Sequence, residues 1–394
     1  MKILLLSLAL ATPALAAPAR QTEADGYTRY ELLDPASHKF RILYDVTATT
    51  PGATAYYNPI RPGSAATDER VADRATGKPL PFREVDGATA QAGGVLNARP
   101  DGRYIEVSLA RPVPPGGGAR VFIDKTYEDA PSYYEKDGTL FFDRPLGIAR
   151  NAVVLPPGYE LIGSNVPAQI LQQPDGRVMI SFWNSSGAAA PLRLQARKAR
   201  FAVSPQAGKL PERALQTRNI VYYLEAPETG RFNLTHDYTE SRPGTATYVN
   251  IVRTGSTVSD PSAQDLDTGA PIPHEILRGA ALKATAPELK DVTETTEAVV
   301  FRFTPVGAGE TRRIRITETY TDTARYKLSA GELDWHRSFG RAANAVVLPQ
   351  GWALTNSSIP ATVSRTADGR TRLDFINPRP DEIDVRITAS RTAP

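Results

Sequence analysis

The chain has 394 residues, with 46 Lys and Arg, 43 Asp and Glu, 4 His and no Cys. The absence of cysteine excludes disulfides, thiolate metal sites and cysteine nucleophiles. A net charge of only +3, with no run of five or more like charges, argues against a nucleic-acid partner. The 33 Pro, 29 Gly and 16 Tyr favour short strands and turns over long helices.

The first residues have the pattern of an export signal. Lys2 precedes an apolar run from Ile3 to Leu10, and Ala14-Leu15-Ala16 follows as a small-x-small cleavage site. We therefore expect residues 1–16 to be a signal peptide and the mature protein to be secreted or periplasmic. The run is shorter than the roughly 20 apolar residues that span a bilayer, so no transmembrane segment is predicted after cleavage.

The rest of the chain contains an internal repeat. The stretch PGATAYYNPIRPGS at residues 51–64 is matched by PGTATYVNIVRTGS at residues 243–256. Residues 151–167, which begin NAVVLPPGYEL, match residues 344–360, which begin NAVVLPQGWAL, at 10 of 17 positions. These collinear matches indicate an internal duplication.

Two tandem domains follow from this duplication. We predict a first repeat at residues 27–200 and a second repeat at residues 218–394. Residues 201–217 form the predicted linker, since their Pro and Gly are typical of a connector. A repeat of this length is too long for a propeller blade or solenoid unit, so each copy should be a globular domain. The sequence leaves open whether each repeat divides into two smaller sandwiches.

Both repeats have the apolar pattern of β-strands. Apolar or aromatic residues stand at every second position at Phe40, Ile42, Tyr44 and Val46. The second repeat has the same spacing at Phe232, Leu234, His236 and Tyr238. A period of two is typical of an antiparallel strand with one buried face. Asp-Gly pairs that predict tight turns lie at residues 101–102, 137–138, 175–176 and 368–369. The predicted fold class is all-β, with two tandem antiparallel β-sandwich-like domains.

No catalytic constellation is found in the sequence. The four histidines form neither an H-E-x-x-H motif nor another paired spacing suited to zinc. There is no G-x-S-x-G motif and no glycine-rich phosphate loop. We therefore assign no catalytic residue, no metal ligand and no cofactor.

One fragment has part of the pattern of a calcium loop. DLDTG at residues 265–269 places Asp265 and Asp267 at alternate positions, as hard-cation sites do. It lacks a closing glutamate, and the first repeat has Ala75 in place of Asp267. We expect a β-turn capped by an Asp side chain.

Several polar residues are the same in both repeats. The pairs are Asn58 and Asn250, Arg61 and Arg253, Arg144 and Arg337, Asn151 and Asn344, and Asn184 and Asn377. A duplicated active site needs only one working copy, so residues kept in both copies favour a shared folding requirement. Two equivalent binding sites are the alternative.

The repeats differ most clearly just before the NAVVLP phrase. Trp335 and His336 stand in the second repeat where the first has Phe142 and Asp143. Trp, His and Arg together are typical of ligand contacts. The predicted ligand-binding residues are Asp322, Tyr326, Trp335, His336 and Arg337. The alternative is an ordinary strand whose aromatic residue faces the core and whose polar residues face water.

Three functions fit these observations. The first is an exported, non-catalytic binding or assembly module with a protein or carbohydrate ligand. The second is a hydrolase or lyase that acts on an extracellular or envelope polymer through scattered residues, among which Asp129 and Asp322 are the best placed acids. The third is recognition of a peptide or protein partner through exposed sheet edges.

Overall fold

The computed structural model describes residues 19–185, 188–199, 210–215 and 218–392. The predicted signal peptide lies outside these residues, and the predicted linker is described only at residues 210–215. The regular secondary structure of the described chain is almost entirely β-strand, arranged in several sheets, which confirms the predicted all-β fold class. None of its helices is long and apolar enough to cross a membrane.

The first repeat has one large sheet and two small sheets. Its strands are β1 (Glu23–Leu32), β2 (Lys39–Ala48), β3 (Ala55–Ile60), β4 (Ala65–Asp73), β5 (Phe82–Asp86), β6 (Arg103–Ser108), β7 (Ala119–Glu128), β8 (Tyr133–Lys136), β9 (Thr139–Leu146), β10 (Arg150–Val154), β11 (Tyr159–Ser164), β12 (Gln169–Gln172), β13 (Val178–Trp183) and β14 (Ala190–Lys198). A 3-10 turn spans Pro35–Ser37, and the helix α1 spans Gly87–Ala92. The sheet orders are β12-β13-β10-β1-β2-β7-β4, β11-β14-β9-β8 and β3-β6-β5.

The second repeat has the same plan. Its strands are β15 (Arg218–Leu224), β16 (Arg231–Glu240), β17 (Thr247–Ile251), β18 (Thr257–Asp265), β19 (Pro271–Ile272), β20 (His274–Arg278), β21 (Glu297–Arg302), β22 (Arg312–Thr321), β23 (Tyr326–Ser329), β24 (Glu332–Phe339), β25 (Ala343–Val347), β26 (Trp352–Ser357), β27 (Thr362–Arg365), β28 (Thr371–Ile376) and β29 (Ile383–Arg391). A 3-10 turn spans Pro227–Thr229, and the helix α2 spans Gly279–Thr285. The sheet orders are β19-β18-β22-β16-β15-β25-β28-β27, β26-β29-β24-β23 and β17-β21-β20.

One strand pair in each repeat departs from the antiparallel expectation. The NAVVLP phrase forms β10 in the first repeat and β25 in the second, each in the middle of the large sheet. β10 pairs with β1 in parallel, and β25 pairs with β15 in the same way. A parallel pair needs a long crossover, and here the intervening small sheets supply it. The other pairings of the described strands are antiparallel.

The large sheet buries one face against both small sheets. In the first repeat a single apolar cluster joins Phe40 of the large sheet, Ile105 of the three-stranded sheet and Phe142 of the four-stranded sheet. In the second repeat the packing is divided. One cluster surrounds Trp335 of the four-stranded sheet, and a separate one surrounds Phe301 of the three-stranded sheet. The apolar packing is therefore continuous across the three sheets in the first repeat and divided in the second.

Three of the four Asp-Gly pairs form the predicted hairpin turns. The pair at 175–176 joins β12 to β13, and Gly176 has a φ of +84°. The pairs at 137–138 and 368–369 join β8 to β9 and β27 to β28. Residues 101–102 also lie in a tight turn, but this turn does not join two neighbouring strands as a hairpin. That pair lies in the connection that contains α1, where the Gly102 amide donates to the Arg99 carbonyl instead of closing a hairpin.

The two repeats contact each other through equivalent turns. In the second repeat Asp265 Oδ1 accepts the Asp267 amide at 2.9 Å, which confirms the expected Asp cap. The Asp267 carboxylate then binds Arg120 of the first repeat at 2.6 and 2.7 Å. The reciprocal contact is a hydrogen bond of 2.9 Å from the Thr311 amide to the Ala75 carbonyl. The fragment with a calcium-like pattern therefore joins the repeats.

Candidate functional site

The five residues predicted from sequence do not share one surface. Trp335 is buried in the core, with its ring centroid 5.4 Å from that of Tyr222 and 5.8 Å from that of Phe339. The next residue on β24, His336, faces the opposite way, and its side chain is 52% exposed. Trp335 faces the core and His336 faces water, as in the ordinary strand that was the alternative to a ligand site.

The other three predicted residues lie inside the second repeat. The fully buried Asp322 carboxylate accepts hydrogen bonds from Ser256 Oγ at 2.9 Å and from Arg325 Nη1 at 3.2 Å. Arg337 Nη1 lies 3.6 Å from the same carboxylate. The Tyr326 hydroxyl donates to the Glu225 carbonyl. These contacts join strands and loops, so the five residues do not line a common cleft.

A more promising site lies in the first repeat, where its three sheets meet. A cavity of about 270 Å³ opens between the large sheet and the three-stranded sheet. β1, β2 and β7 supply one wall, β3 and the loop after it supply the other, and β9 contributes Arg144. The aromatic and aliphatic lining comes from Tyr30, Ile42, Tyr44, Tyr56, Ile60, Tyr127 and Ile148.

Lys125 on β7 brings an amine into this cavity. The residue is only 4% exposed, because β7 is an inner strand of the large sheet, between β2 and β4, and this face is covered by β3. Its Nζ donates to Asn58 Oδ1 at 2.6 Å and lies 5.0 Å from the ring centroid of Tyr127. Burial lowers the pKa of Lys125 to about 7; Glu69 opposes this shift and Arg144 adds to it. The amine is therefore partly neutral at physiological pH.

Two arginines border the same cavity and differ in their partners. Arg144 is buried, and its Nη1 donates to Asp129 Oδ2 at 2.5 Å. The Arg61 guanidinium makes no hydrogen bond or ion pair with the described residues. Burial lowers the pKa of Arg61, and the charge of Arg144 lowers it further. An arginine pKa starts so high that Arg61 keeps its charge, so its planar donors are available to an anion.

The corresponding place in the second repeat has opposite chemistry. Lys125 pairs with Ile42 across the sheet, and Glu318 pairs with the equivalent Leu234, so Glu318 occupies the lysine position. Asn250, the counterpart of Asn58, donates through Nδ2 to Glu318 Oε2 at 2.5 Å. Burial raises the pKa of Glu318 to about 7, although hydrogen bonds from Asn250 and Tyr320 oppose the shift.

The arginine of the second repeat also has a partner that the first repeat lacks. Arg253, the counterpart of Arg61, donates through Nη2 to Ser338 Oγ at 3.2 Å. The first repeat has Pro145 at the position of Ser338, and proline offers no hydroxyl. Arg341 stands in place of the cavity-lining Ile148. The Arg61 side chain is thus left without the partner that its counterpart has.

Sequence reasoning found some of these residues and missed others. Asn58 and Arg61 were recognised as kept in both repeats, with two binding sites as the alternative explanation. Lys125 was missed, although a signal exists: it follows Val121 and Ile123 at the same period of two, in a strand whose next in-phase residue is Tyr127. A charged residue in phase with buried ones is unusual and marks an internal polar contact or a site.

A second cavity, of about 580 Å³, lies between the repeats. Its lining includes Trp183, Pro167 and Pro378, together with Arg213. Arg213 already donates to the Asn377 carbonyl at 3.1 Å and to the Gly340 carbonyl at 3.2 Å. With its one charged side chain committed to backbone carbonyls, this cavity offers a ligand less specific recognition than the Lys125 cavity.

Two further features bear on the functions considered above. No group of three His, Asp or Glu side chains in the described part of the chain is arranged to hold a metal ion. The large sheets end in the edge strands β12 and β27, where Ile170 is 49% and Val363 is 55% exposed. Such edges are open to strand addition, but nothing in the structure identifies a strand that covers them.

No protein-family model matches the sequence, and no curated protein matches it. Among solved structures the chain is similar to an aminopeptidase N family protein from Idiomarina loihiensis, with 13% identity, a TM-score of 0.29 and coverage of 43% of this chain and 29% of that one. For an M1 zinc metallopeptidase from Deinococcus radiodurans the identity is 12%, the TM-score 0.30 and the coverage 44% and 41%. For the collagen adhesin from S. aureus the identity is 9%, the TM-score 0.18 and the coverage 82% and 88%.

The chain therefore spans less than half the length of the two peptidases. TM-scores of 0.30 or lower describe partial superpositions, so we draw no functional argument from these three proteins.

Proposed function

We propose that the chain is an exported, non-catalytic binding protein whose first repeat binds a small carboxylate with an apolar body in the Lys125 cavity. The observation that carries this proposal is the Arg61 guanidinium, which borders an aromatic cavity and has no hydrogen-bond or ion-pair partner among the described residues. A guanidinium of this kind binds a carboxylate through two parallel hydrogen bonds.

The size and lining of the cavity support a small ligand. A volume of about 270 Å³ is near the lower end of the range for ligand pockets, which are mostly apolar with a few placed polar groups. The tyrosine rings and isoleucine side chains suit an aromatic or branched aliphatic body. Lys125 supplies a second donor near the carboxylate, and its partly neutral state reduces the cost of leaving the cavity empty.

Export is the remaining part of the proposal. Its support is the signal-like sequence at residues 1–16, followed by a chain without cysteine that relies on its apolar cores for stability. The hydrolase alternative has weaker support, because the Asp129 and Asp322 carboxylates are both engaged by arginines. The proposed function is therefore still a binding module, but its ligand-binding residues are Arg61 and Lys125 and not the five residues predicted in the second repeat.

The proposed function is tested by calorimetric titration of the full chain with benzoate and with benzyl alcohol, its uncharged analogue. We expect benzoate to bind the parent protein more tightly than benzyl alcohol does. Arg61→Gln should weaken benzoate binding by about tenfold, because it removes a charge-assisted pair of hydrogen bonds. Thermal melting of each variant checks that it is folded.

The matched control is Arg253→Gln, the same change at the equivalent position of the second repeat. It should leave benzoate binding as it is in the parent protein, because Arg253 is bonded to Ser338. Equal binding of benzoate and benzyl alcohol, or equal effects of the two substitutions, would contradict the proposed site.

A further inference from the structure

The Lys125 amine is placed for covalent as well as ionic binding. A neutral amine has two N–H donors and one lone pair. Asn58 Oδ1 accepts one N–H at 2.6 Å, and the ring of Tyr127 lies 5.0 Å away without a hydrogen bond to the amine. The lone pair is then directed away from Asn58, and Lys125 lines the cavity into which a ligand would enter.

The surroundings of the amine favour its uncharged form. The residue is 4% exposed, and no carboxylate among the described residues forms an ion pair with Nζ. Burial is the main cause; the charge of Glu69 acts against it, and Arg144 adds positive charge at the same cavity. A lysine that is desolvated beside another cationic group is the arrangement in which lysine acts as a nucleophile toward carbonyl groups.

We propose that Lys125 reversibly captures ligands that carry both a carbonyl group and a carboxylate, by forming an imine. The Nζ lone pair attacks the carbonyl carbon, and a proton moves from nitrogen to oxygen to give a carbinolamine. Loss of water then forms the C=N bond, so one amine and one carbonyl give one imine and one water, with no oxidant or reductant. Arg61 holds the carboxylate while the new bond forms.

This inference rests on the proposed function for the position of the carboxylate, and it adds the reacting atom and the carbonyl requirement. It also accounts for the difference between the repeats. Glu318 cannot form an imine, so the second repeat has no counterpart of this reaction at the same place. Covalent capture is confined to the first repeat.

The experiment uses 4-formylbenzoate as the probe and borohydride as the trapping reagent. Borohydride adds hydride to the imine carbon, and water supplies the proton to nitrogen, which leaves a stable secondary amine that peptide mass mapping locates. We expect labelling of Lys125 to exceed labelling of the partly exposed Lys39 by about tenfold or more at neutral pH, since Lys39 pairs with Glu128 at 3.6 Å and lines no such cavity. Similar labelling of Lys125 and Lys39 would overturn the inference.

Two variants and an unfolding control complete the test. Lys125→Met should lose the selective adduct, while Lys39→Met should keep it. Because the adduct is mapped in the parent protein, the test does not depend on the folding of the Lys125 variant. Unfolding the parent protein in urea before labelling should abolish the preference for Lys125.

The same experiment separates the inference from the proposed function. Selective labelling of Lys125 by 4-formylbenzoate and equally by 4-methylbenzaldehyde, which lacks the carboxylate, would support the reactive amine and contradict the carboxylate site. Benzoate binding that depends on Arg61, without any selective adduct, would support the carboxylate site and overturn imine formation.

Discussion

Lys125 and Glu318 occupy the same register position of equivalent strands, and each bonds to the equivalent asparagine of the three-stranded sheet. One is a base and the other an acid, yet burial moves the pKa of both groups to about 7. The fold therefore requires a polar link between the two sheets at this point but does not require its charge. The charge at this position can therefore differ between the repeats. In the first repeat, the cavity and Arg61 support a role of Lys125 in binding.

The largest losses of stability are expected from substitutions in the two hydrophobic cores. Trp335→Ala should lower the free energy of unfolding of the second repeat by about 4 kcal/mol, because it leaves a large void beside Tyr222 and Phe339. Phe142→Ala should have an effect of similar size in the first repeat. Urea denaturation followed by circular dichroism measures both.

His336→Ala is the control for the Trp335 variant. Its side chain faces solvent, so the free energy of unfolding should change by no more than about 0.5 kcal/mol. If His336→Ala lowered the free energy of unfolding as much as Trp335→Ala does, the result would contradict the burial pattern of β24.

The contact between the repeats gives the next largest effect. Asp267→Ala removes the partner of Arg120, whose side chain is only 11% exposed, and leaves a buried charge. We expect a loss of about 3 kcal/mol, at the low end for broken buried pairs, since Arg120 keeps a 2.9 Å hydrogen bond to Thr311 Oγ1. Asp381→Ala, which breaks an exposed pair with Arg379, should have little effect on the same urea curve.

The pH dependence of stability should also distinguish the repeats, which are expected to have opposite slopes. Between pH 7 and about 10 the unfolded chain binds a proton at Lys125 that the folded chain does not, so stability rises with pH. Between pH 4.5 and 7 the folded chain binds a proton at Glu318 that the unfolded chain does not, so stability falls as pH rises.

Two variants isolate these contributions. Relative to the parent protein, Lys125→Met should remove a slope of up to about 1.4 kcal/mol per pH unit in the upper window, and Glu318→Gln should remove a slope of the same size and opposite sign in the lower window. Urea unfolding at several pH values measures both. Changes that fall in the same window would contradict the environments described for the two groups.

The strand pattern and the repeat could be predicted from the sequence because both depend on local spacing. Phe40, Ile42 and Tyr44 are buried as their alternation predicts. The parallel pairing of β1 with β10 could not be predicted in this way, because a buried apolar strand such as NAVVL has no alternation that distinguishes parallel from antiparallel neighbours.

The candidate site was harder to predict because it depends on contacts between distant strands. Asn58 and Lys125 meet only when the three-stranded sheet covers the large sheet. Trp335 and His336 are unusual residue types in the sequence, but their directions are fixed by the alternation of β24. The more useful signal is the loss of a partner, Pro145 in place of Ser338, and it becomes recognisable only from the bond between Arg253 and that serine.

The parallel pair also affects the order in which the chain is assembled during synthesis. β1 pairs early with β2, but its other edge stays open until β10 has been made, because Tyr27 pairs with Arg150. At ordinary rates of synthesis this takes on the order of ten seconds. β10 and β25 share the sequence NAVV, so either strand suits the open edge of β1. Because the N-terminal part of the chain becomes available first, we expect β1 to pair with β10 before β25 can compete, so that each of two nearly identical strands joins its own sheet.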